Sequence, residues 1–344
     1  MFDGNAFYVS RAATGIYLIL KTTIQNPEKK TVLIPANICY AAVLPIVYCG
    51  LKVRFCDVDS VTGNVTYKSF VEKCSDDVAA AIVPHMYGNP VDDLHDISLY
   101  CRKKCILLIE DCASAMGSKS EKYKLGSQGD FTVYSMGYSK TVDLGYGGII
   151  VSELDLKAIE NEERSLSLYN ENANELAFFS KIYRDLRNDN NNTKLRRKIY
   201  SALPGVVKDE LLCRINDKQK EYLKNGLKSL ESVIQNRRYS QSLYESQLPD
   251  LKENIYHFSD GSVPWRFCML LDKKIKKQII SECLKNNLPI SDWYPVVAPV
   301  FGDYSEYPGA KAHEEHILNF PLPNSEKQIN DICRIINSTV NKRI

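Results

Sequence analysis

Short apolar runs alternate with amphipathic stretches from residue 1 to about 152. TVLIPA (31–36), KVRFCDV (52–58), AAAIVPH (79–85), CILLIED (105–111), FTVYSM (131–136) and GGIIVS (147–152) are too short and too β-rich for helices, and they predict buried strands. Between them, residues 10–25, 38–49, 66–74 and 92–103 carry apolar positions at helical spacing. Strand and helix in that alternation predict an α/β fold, with a mostly parallel sheet sandwiched by helices.

Beyond residue 152 the pattern changes to long, charged segments of helical period. The polar break Asn188-Asp189-Asn190-Asn191-Asn192 predicts a loop tip, and 208–247 predicts one or two long helices. A further strand is expected at PWRFCMLL (264–271), with helices at 272–287 and 325–340. The chain therefore divides into a large domain, 1–235, and a smaller C-terminal α+β domain, 236–344. It shows no internal repeat.

Composition narrows the class of partner. The 344 residues are 44% hydrophobic, enough for a sizeable core, and 44 Lys and Arg against 42 Asp and Glu give no basic excess that would point to nucleic acid or a membrane surface. A small-molecule substrate is the expectation. Eleven cysteines are scattered without a CxxC pair, which suits reduced core thiols better than a disulfide framework or a metal site. No metal is expected. The start, MFDGNAFYVSRAATG, lacks the basic and apolar regions of a signal peptide, and no apolar run approaches the roughly 18 to 20 residues of a membrane span. A cytoplasmic location is expected.

In an open parallel sheet, ligands gather beyond the carboxyl ends of the strands. Asp111 closes the run CILLIE and is followed by small residues up to Gly117. A carboxylate there needs a partner, either a helix N-terminus or an arginine, or the protonated pyridine nitrogen of pyridoxal 5'-phosphate (PLP). Lys140 lies 29 residues later, between the strand end at Ser135 and the turn Gly145-Tyr146-Gly147-Gly148. A loop lysine is ordinarily a solvated charge, but in a desolvated cationic site its lowered pKa makes it a nucleophile able to form a Schiff base. Ser135 is placed to donate a hydroxyl to a phosphate. The segment Ser10-Arg11-Ala12-Ala13-Thr14-Gly15 opens a helix, so its free amides suit a phosphate, and Ser10 also suits a plain helix cap.

These residues resemble an ordered motif series. Pro35-Ala36-Asn37 to Gly50, Val53 to Asp59, Pro84-His85-Met86-Tyr87-Gly88-Asn89-Pro90, Glu110-Asp111 to Gly117, Gly126 to Asp130, Ser135 to Lys140 and Gly147-Gly148 resemble the DegT/StrS sugar aminotransferases from about residue 9 to 152. The likeness returns more weakly at Arg214 to Gln219 and Leu318 to Pro323. It implies a fold-type-I PLP enzyme, usually a homodimer with active sites at the subunit interface. By position, Lys140 would carry PLP as a Schiff base, Asp111 would pair with its ring nitrogen, and Ser135 with the amides of Ala12 and Ala13 would hold its phosphate.

The resemblance further implies ping-pong transfer from L-glutamate to a nucleotide-linked keto-sugar, as in the biosynthesis of surface polysaccharides or glycosylated natural products. Departures from the family pattern fall at Cys39 (often an aromatic ring stacked on the cofactor, a role Tyr40 is placed to assume), Ser114 (commonly Gln), Met116 (frequently His) and Leu212 (often an Asn reaching the partner subunit). Ala12-Ala13 replace Gly-Thr, leaving Thr14 as the nearby hydroxyl. Arg184, Arg187, Arg196, Arg197 and Lys198 offer cations for a diphosphate, and Trp293-Tyr294 a stacking surface, although each also suits a solvated face or an ordinary core.

Two other readings share the scaffold. Sugar deoxygenation belongs to relatives that carry His in place of the lysine, so Lys140 argues against it. A non-catalytic binding or regulatory relative would accommodate the altered positions 39, 114 and 212. A dinucleotide-binding dehydrogenase fits worst, because Gly145-Tyr146-Gly147-Gly148 precedes a strand and lacks the GxGxxG register that opens a helix.

Overall fold

A computed structural model describes residues 4–170, 181, 202 and 204–341. Seven strands, β1 (Asn5–Val9), β2 (Thr31–Pro35), β3 (Lys52–Cys56), β4 (Val78–Pro84), β5 (Leu107–Asp111), β6 (Phe131–Ser135) and β7 (Gly148–Ser152), form one sheet in the order β1-β7-β6-β5-β4-β2-β3. The pairs from β3 to β6 are parallel, and β7 runs antiparallel to both β6 and β1. All six apolar runs are strands of this sheet.

Alternation along each strand explains why they read as continuous runs. Val32 and Ile34 on β2, Ile82 on β4 and Ile109 on β5 join the core under α1 (Ala12–Thr23), α2 (Tyr40–Tyr48) and α5 (Lys157–Glu163). Leu33, Ala81, Val83 and Leu108 point the other way, into a core closed by α3 (Tyr67–Lys73) and α4 (Leu94–Lys104). Both faces are buried, so neither needs polar positions.

Three regions depart from expectation. Strand β1 has no apolar run, because it is a short edge strand whose first residues are exposed. Strand β3 stops at Cys56, since the carboxylate of Asp57 accepts the amides of Gly309 (2.9 Å) and Ala310 (2.8 Å) in the first turn of a distant helix. The segment 208–247 breaks into α6 (Lys208–Leu211), α7 (Asp217–Gly226) and α8 (Leu230–Gln247), with Cys213–Arg214 pairing in parallel with Ser167–Leu168 between the first two. A capping box between Asn216 and Gln219 restarts the chain as α7. The loop tip expected at 188–192 lies outside the described residues.

In the C-terminal part, β8 (Arg266–Leu270) and β9 (Ile317–Pro321) pair antiparallel, with α9 (Lys273–Lys285) and α11 (Glu326–Asn341) packed in the same core. Tyr244 of α8 stacks on Phe267 of β8 at 4.2 Å in this core. The helix α10 (Pro308–His316) leads directly into β9, and neither element was expected from periodicity. The expected boundary between 235 and 236 falls inside α8, whose Leu230 and Ile234 pack with β7 residues while its Tyr244 belongs to the C-terminal core. All eleven cysteines are free, seven of them buried. Among the described residues no helix is long and apolar enough to cross a membrane.

The Asp57 clasp leaves Gly309 no space, since a Cβ there would lie 1.9 Å from the carbonyl oxygen of Val58. Gly309→Ala is expected to destabilise the protein by about 1 to 3 kcal/mol through overpacking against backbone. Urea unfolding monitored by circular dichroism reads this as a lower midpoint.

Candidate active site

Strand register sets the site. Asp111 pairs with Pro84 on one side and Val133 on the other, Ser135 pairs with Gly148, and Gly148 pairs with Val9. The ends of β1, β4, β5 and β6 and the start of β7 therefore line one edge of the sheet. Helix α1 starts three residues after Val9 and is pressed onto β7, because a Cβ on Gly148 would lie 2.5 Å from the amide nitrogen of Ala12. No side chain caps this helix, which leaves the amides of Ala12 and Ala13 at the same edge as Ser135.

Lys140 sits on the loop between β6 and β7. That loop is held from the C-terminal part of the chain: Arg237 of α8 donates to the carbonyl of Lys140 (2.8 Å), Trp265 Nε1 donates to the carbonyl of Ser139 (2.5 Å), and Arg266 of β8 donates to Ser139 Oγ (2.7 Å). Ser139 adopts a positive φ of 63°, with its amide on Asp143. The Lys140 amine donates to Ser114 Oγ at 3.1 Å and lies 5.4 Å from the centroid of the Trp265 ring. The Tyr294 hydroxyl neighbours Ser114, and burial pushes its pKa up.

Electrostatics set this amine apart from a surface lysine. Burial pushes its pKa below the ordinary lysine value, and the neighbouring guanidiniums of Arg266 and Arg237 add to the effect against the opposing pull of Cys39 and Asp111. Burial likewise pushes the Asp111 carboxyl up, although the Ala113 amide on its Oδ1 (2.9 Å), Lys140 and His85 all favour the ionised form. Each of the two groups feels the other's charge, so the half-buried Lys140 and the buried Asp111 share one electrostatic environment.

The other expected residues divide. Cys39, just before α2, packs against the aromatic cluster of Trp265 and Tyr294 and so belongs to the site. Ser114 touches the Lys140 amine, and Ser135 Oγ accepts the amide of Gly137 at 3.3 Å. Thr14 turns away, its hydroxyl donating to the carbonyl of Leu211 and sharing a bond with Ser10 Oγ. Leu212 is buried, and Met116 packs with Ile234 and Val263. Arg184, Arg187, Arg196, Arg197 and Lys198 lie outside the described residues.

Glu110 is fully buried and points away from Asp111, as neighbours on a strand must. Its carboxylate accepts from His85 Nε2 (3.1 Å) and from the amides of Gly126 (2.6 Å) and Gln128 (2.9 Å). Burial alone would raise the Glu110 pKa, but these donors outweigh it and the net displacement is downward. His85, Glu110 and Cys112 are close enough to share a metal ion. However, His85 Nδ1 accepts the amide of Val91 (3.0 Å), so Nε2 carries the proton and is committed to Glu110. The cluster is a hydrogen-bonded anchor for the loop before β6.

Three residues of the site escaped the sequence reading: Arg237, Trp265 and Arg266. For Trp265 and Arg266 the one signal is a basic residue inside the otherwise apolar run PWRFCMLL; Arg237 has none. Of the expected pair Trp293-Tyr294, Tyr294 stacks on Trp265 at 5.6 Å, and its amide is held by the hydroxyl of the fully buried Tyr87 (3.0 Å).

This architecture is that of aminotransferases. The aminotransferase TlmJ from Streptoalloteichus hindustanus superposes with a TM-score of 0.77 at 20% identity, covering 98% of this chain and 86% of that one. Helicobacter pylori PseC, an aminotransferase involved in the biosynthesis of pseudoaminic acid, superposes with a TM-score of 0.77 at 15% identity over 99% and 88%. At the sequence level, residues 3–337 match the DegT/DnrJ/EryC1/StrS aminotransferase family, and the chain belongs to it. GDP-perosamine synthase of Vibrio cholerae is 23% identical over 98% of this chain and 87% of its own length.

A buried acid with a raised pKa costs stability as pH rises. Its contribution is complete below the unfolded value of 3.8 and is lost as pH climbs through the folded value. Asp111→Asn removes this cost, so the cofactor-free variant is expected to be more stable than wild type at pH 7 to 8 by about 1 to 3 kcal/mol. The gap should close as pH falls toward about 4. Denaturation midpoints of both proteins across pH give the measurement.

Proposed function

We propose that the chain is a PLP-dependent aminotransferase that moves an amino group from L-glutamate to a nucleotide-linked keto-sugar in a ping-pong cycle, with Lys140 as the residue that carries the cofactor. The observation that carries this reading is the pairing of a pKa-lowered Lys140 amine with the buried, pKa-raised Asp111 in one environment. The residues fit PLP. Asp111 is a buried carboxylate suited to a protonated ring nitrogen, and the uncapped amides of Ala12 and Ala13 with Ser135 form a donor set for a phosphate.

When bound, PLP supplies an electron sink for the carbon that loses its proton. Asp111 would hold the ring nitrogen protonated. The Lys140 amine, neutral more readily than a solvent lysine, is the covalent anchor and then the base that moves a proton at Nζ. Ser114 orients that amine through its 3.1 Å hydrogen bond. Trp265 closes one side of the amine and helps to exclude water.

The nucleotide-sugar acceptor is supported by family membership and by the likeness to a GDP-perosamine synthase over nearly the whole chain. The motif resemblance that retains Lys140 favours amination over deoxygenation. A homodimer with active sites at the interface belongs to the same reading, and Tyr138, 84% exposed and two residues from Lys140, supports it as an apolar surface beside the site.

Borohydride reduction of the PLP-loaded protein followed by peptide mass spectrometry is expected to find one pyridoxyl group, on Lys140. Lys140→Ala should lose the adduct, the imine absorbance and glutamate-dependent turnover while keeping its circular dichroism spectrum. An adduct on another lysine would overturn the assignment. Light scattering is expected to give twice the 39.1 kDa of one chain.

A further inference from the structure

The Lys140 environment holds more positive charge than its described carboxylates balance. Arg237 is 3% exposed, and its two terminal nitrogens donate to the carbonyls of Lys140, Trp265 and Pro264, while its Nε has no partner. Arg266 makes one hydrogen bond among the described residues, from Nη2 to Ser139 Oγ, and its buried Nε is also without a partner. Neither arginine forms an ion pair with a described carboxylate, although the exposed Asp143 acts on Arg237 from the loop. A guanidinium is withdrawn from water at a high cost unless an anion completes it.

The two arginines are not equivalent. Arg237 is spent on backbone carbonyls and braces the Lys140 loop. Arg266 keeps donors unused, is half-buried, and sits over the Trp265 ring with its Cζ 4.4 Å from the ring centroid. The Lys140 amine is 5.4 Å from the same centroid, so the two cations are less than about 10 Å apart.

We propose that Arg266 receives the carboxylate of the amino donor. The inference rests on the aminotransferase reading and deepens it by naming a donor-recognition residue. Two substrate anions are candidates for a guanidinium here: the carboxylate of the donor and the diphosphate of the acceptor. An amino acid carries its carboxylate on the very carbon that bears the reacting amine, so that anion must lie close to Lys140. In a nucleotide-linked keto-sugar, a sugar ring and the anomeric oxygen stand between the carbonyl carbon and the diphosphate. The flat fork of arginine also matches a carboxylate in a way that a lysine cannot. The keto acid made from the donor retains the same carboxylate, so Arg266 serves the donor half of the cycle and is free again when the sugar enters.

The test uses the PLP-loaded protein as wild type, Arg266→Met and Arg266→Lys, each checked for fold by circular dichroism. The donor kcat/KM for L-glutamate is expected to fall roughly 10- to 100-fold in Arg266→Met, the loss of a charge-assisted contact. Arg266→Lys should recover part of it, and the kcat/KM for the keto-sugar nucleotide should stay unchanged, since in a ping-pong cycle that ratio reports the second half-reaction alone. An unchanged donor kcat/KM, or a loss confined to the sugar nucleotide, would overturn the proposal and in the second case move Arg266 to the diphosphate.

Calorimetric titration with glutarate, which has carboxylates but no amine to react, and with inorganic pyrophosphate reads binding without turnover. Glutarate affinity that disappears in Arg266→Met supports the proposal, and affinity that survives overturns it, as does Arg266-dependent binding of pyrophosphate alone. The aminotransferase reading stands or falls separately on the Lys140 adduct of the wild type. Should Arg266→Met fail to fold, Arg266→Lys and Arg266→Gln carry the same comparison.

Discussion

Holding an amine and a carboxylate within reach of each other's charge is the constraint around which the edge of this sheet is organised. Neither Lys140 nor Asp111 is ionised as cheaply as in solvent, and burial moves the pKa of each toward its neutral form. Such a pair persists when the surroundings hold it in place. Here Asp111 is fixed by strand pairing on both sides, and Lys140 by a loop whose carbonyls are gripped by Arg237 and Trp265. The parts of the chain are thereby joined functionally: the sheet supplies the acid, and α8 and β8 hold the loop that supplies the amine.

The fold was legible wherever burial was two-sided. Strands β2 to β7 read as apolar runs because helices cover both faces of the sheet, and Asp111 and Ser135 drew notice because a polar residue at the end of such a run is costly unless it faces a ligand. One-sided or locally capped elements were hidden. Strand β1 is half-exposed, and α10 follows Pro308 with its first amides satisfied by Asp57, some 250 residues earlier in the chain, a partner invisible to local periodicity. The segment 208–247 has helical composition, and the capping box at Asn216 and Gln219 is the one local sign that it restarts.

The site was legible to the same extent and for related reasons. Residues carried by strand ends were found, and so was Tyr294, while Trp265 and Arg266 were not, since strand β8 announces them by a single basic residue in an apolar run. The departures at Cys39 and Ser114 acquire meaning in space. A serine in place of a longer side chain leaves its hydroxyl on the Lys140 amine, and Cys39 packs against the aromatic cluster that holds Trp265 and Tyr294. Thr14 had a different fate, because the carbonyl of Leu211 takes its hydroxyl and ties α1 to α6.

Neighbouring acids on one strand show how a period of two separates structure from chemistry. Glu110 and Asp111 are adjacent in sequence and both buried, yet they point to opposite sides of β5. Glu110 meets a histidine and loop amides, enough donors to hold its pKa down, and so serves as an ionised clamp on the loop before β6. Asp111 meets one backbone amide and the charge of an amine it shares with its surroundings, and its pKa goes up. A carboxylate fully satisfied by its own fold has no capacity left for a ligand, whereas one left incomplete beside a pKa-lowered lysine retains the capacity that a cofactor would use. The difference between the two acids lies in how many donors the fold gives each, and that difference separates the anchor from the reactive group.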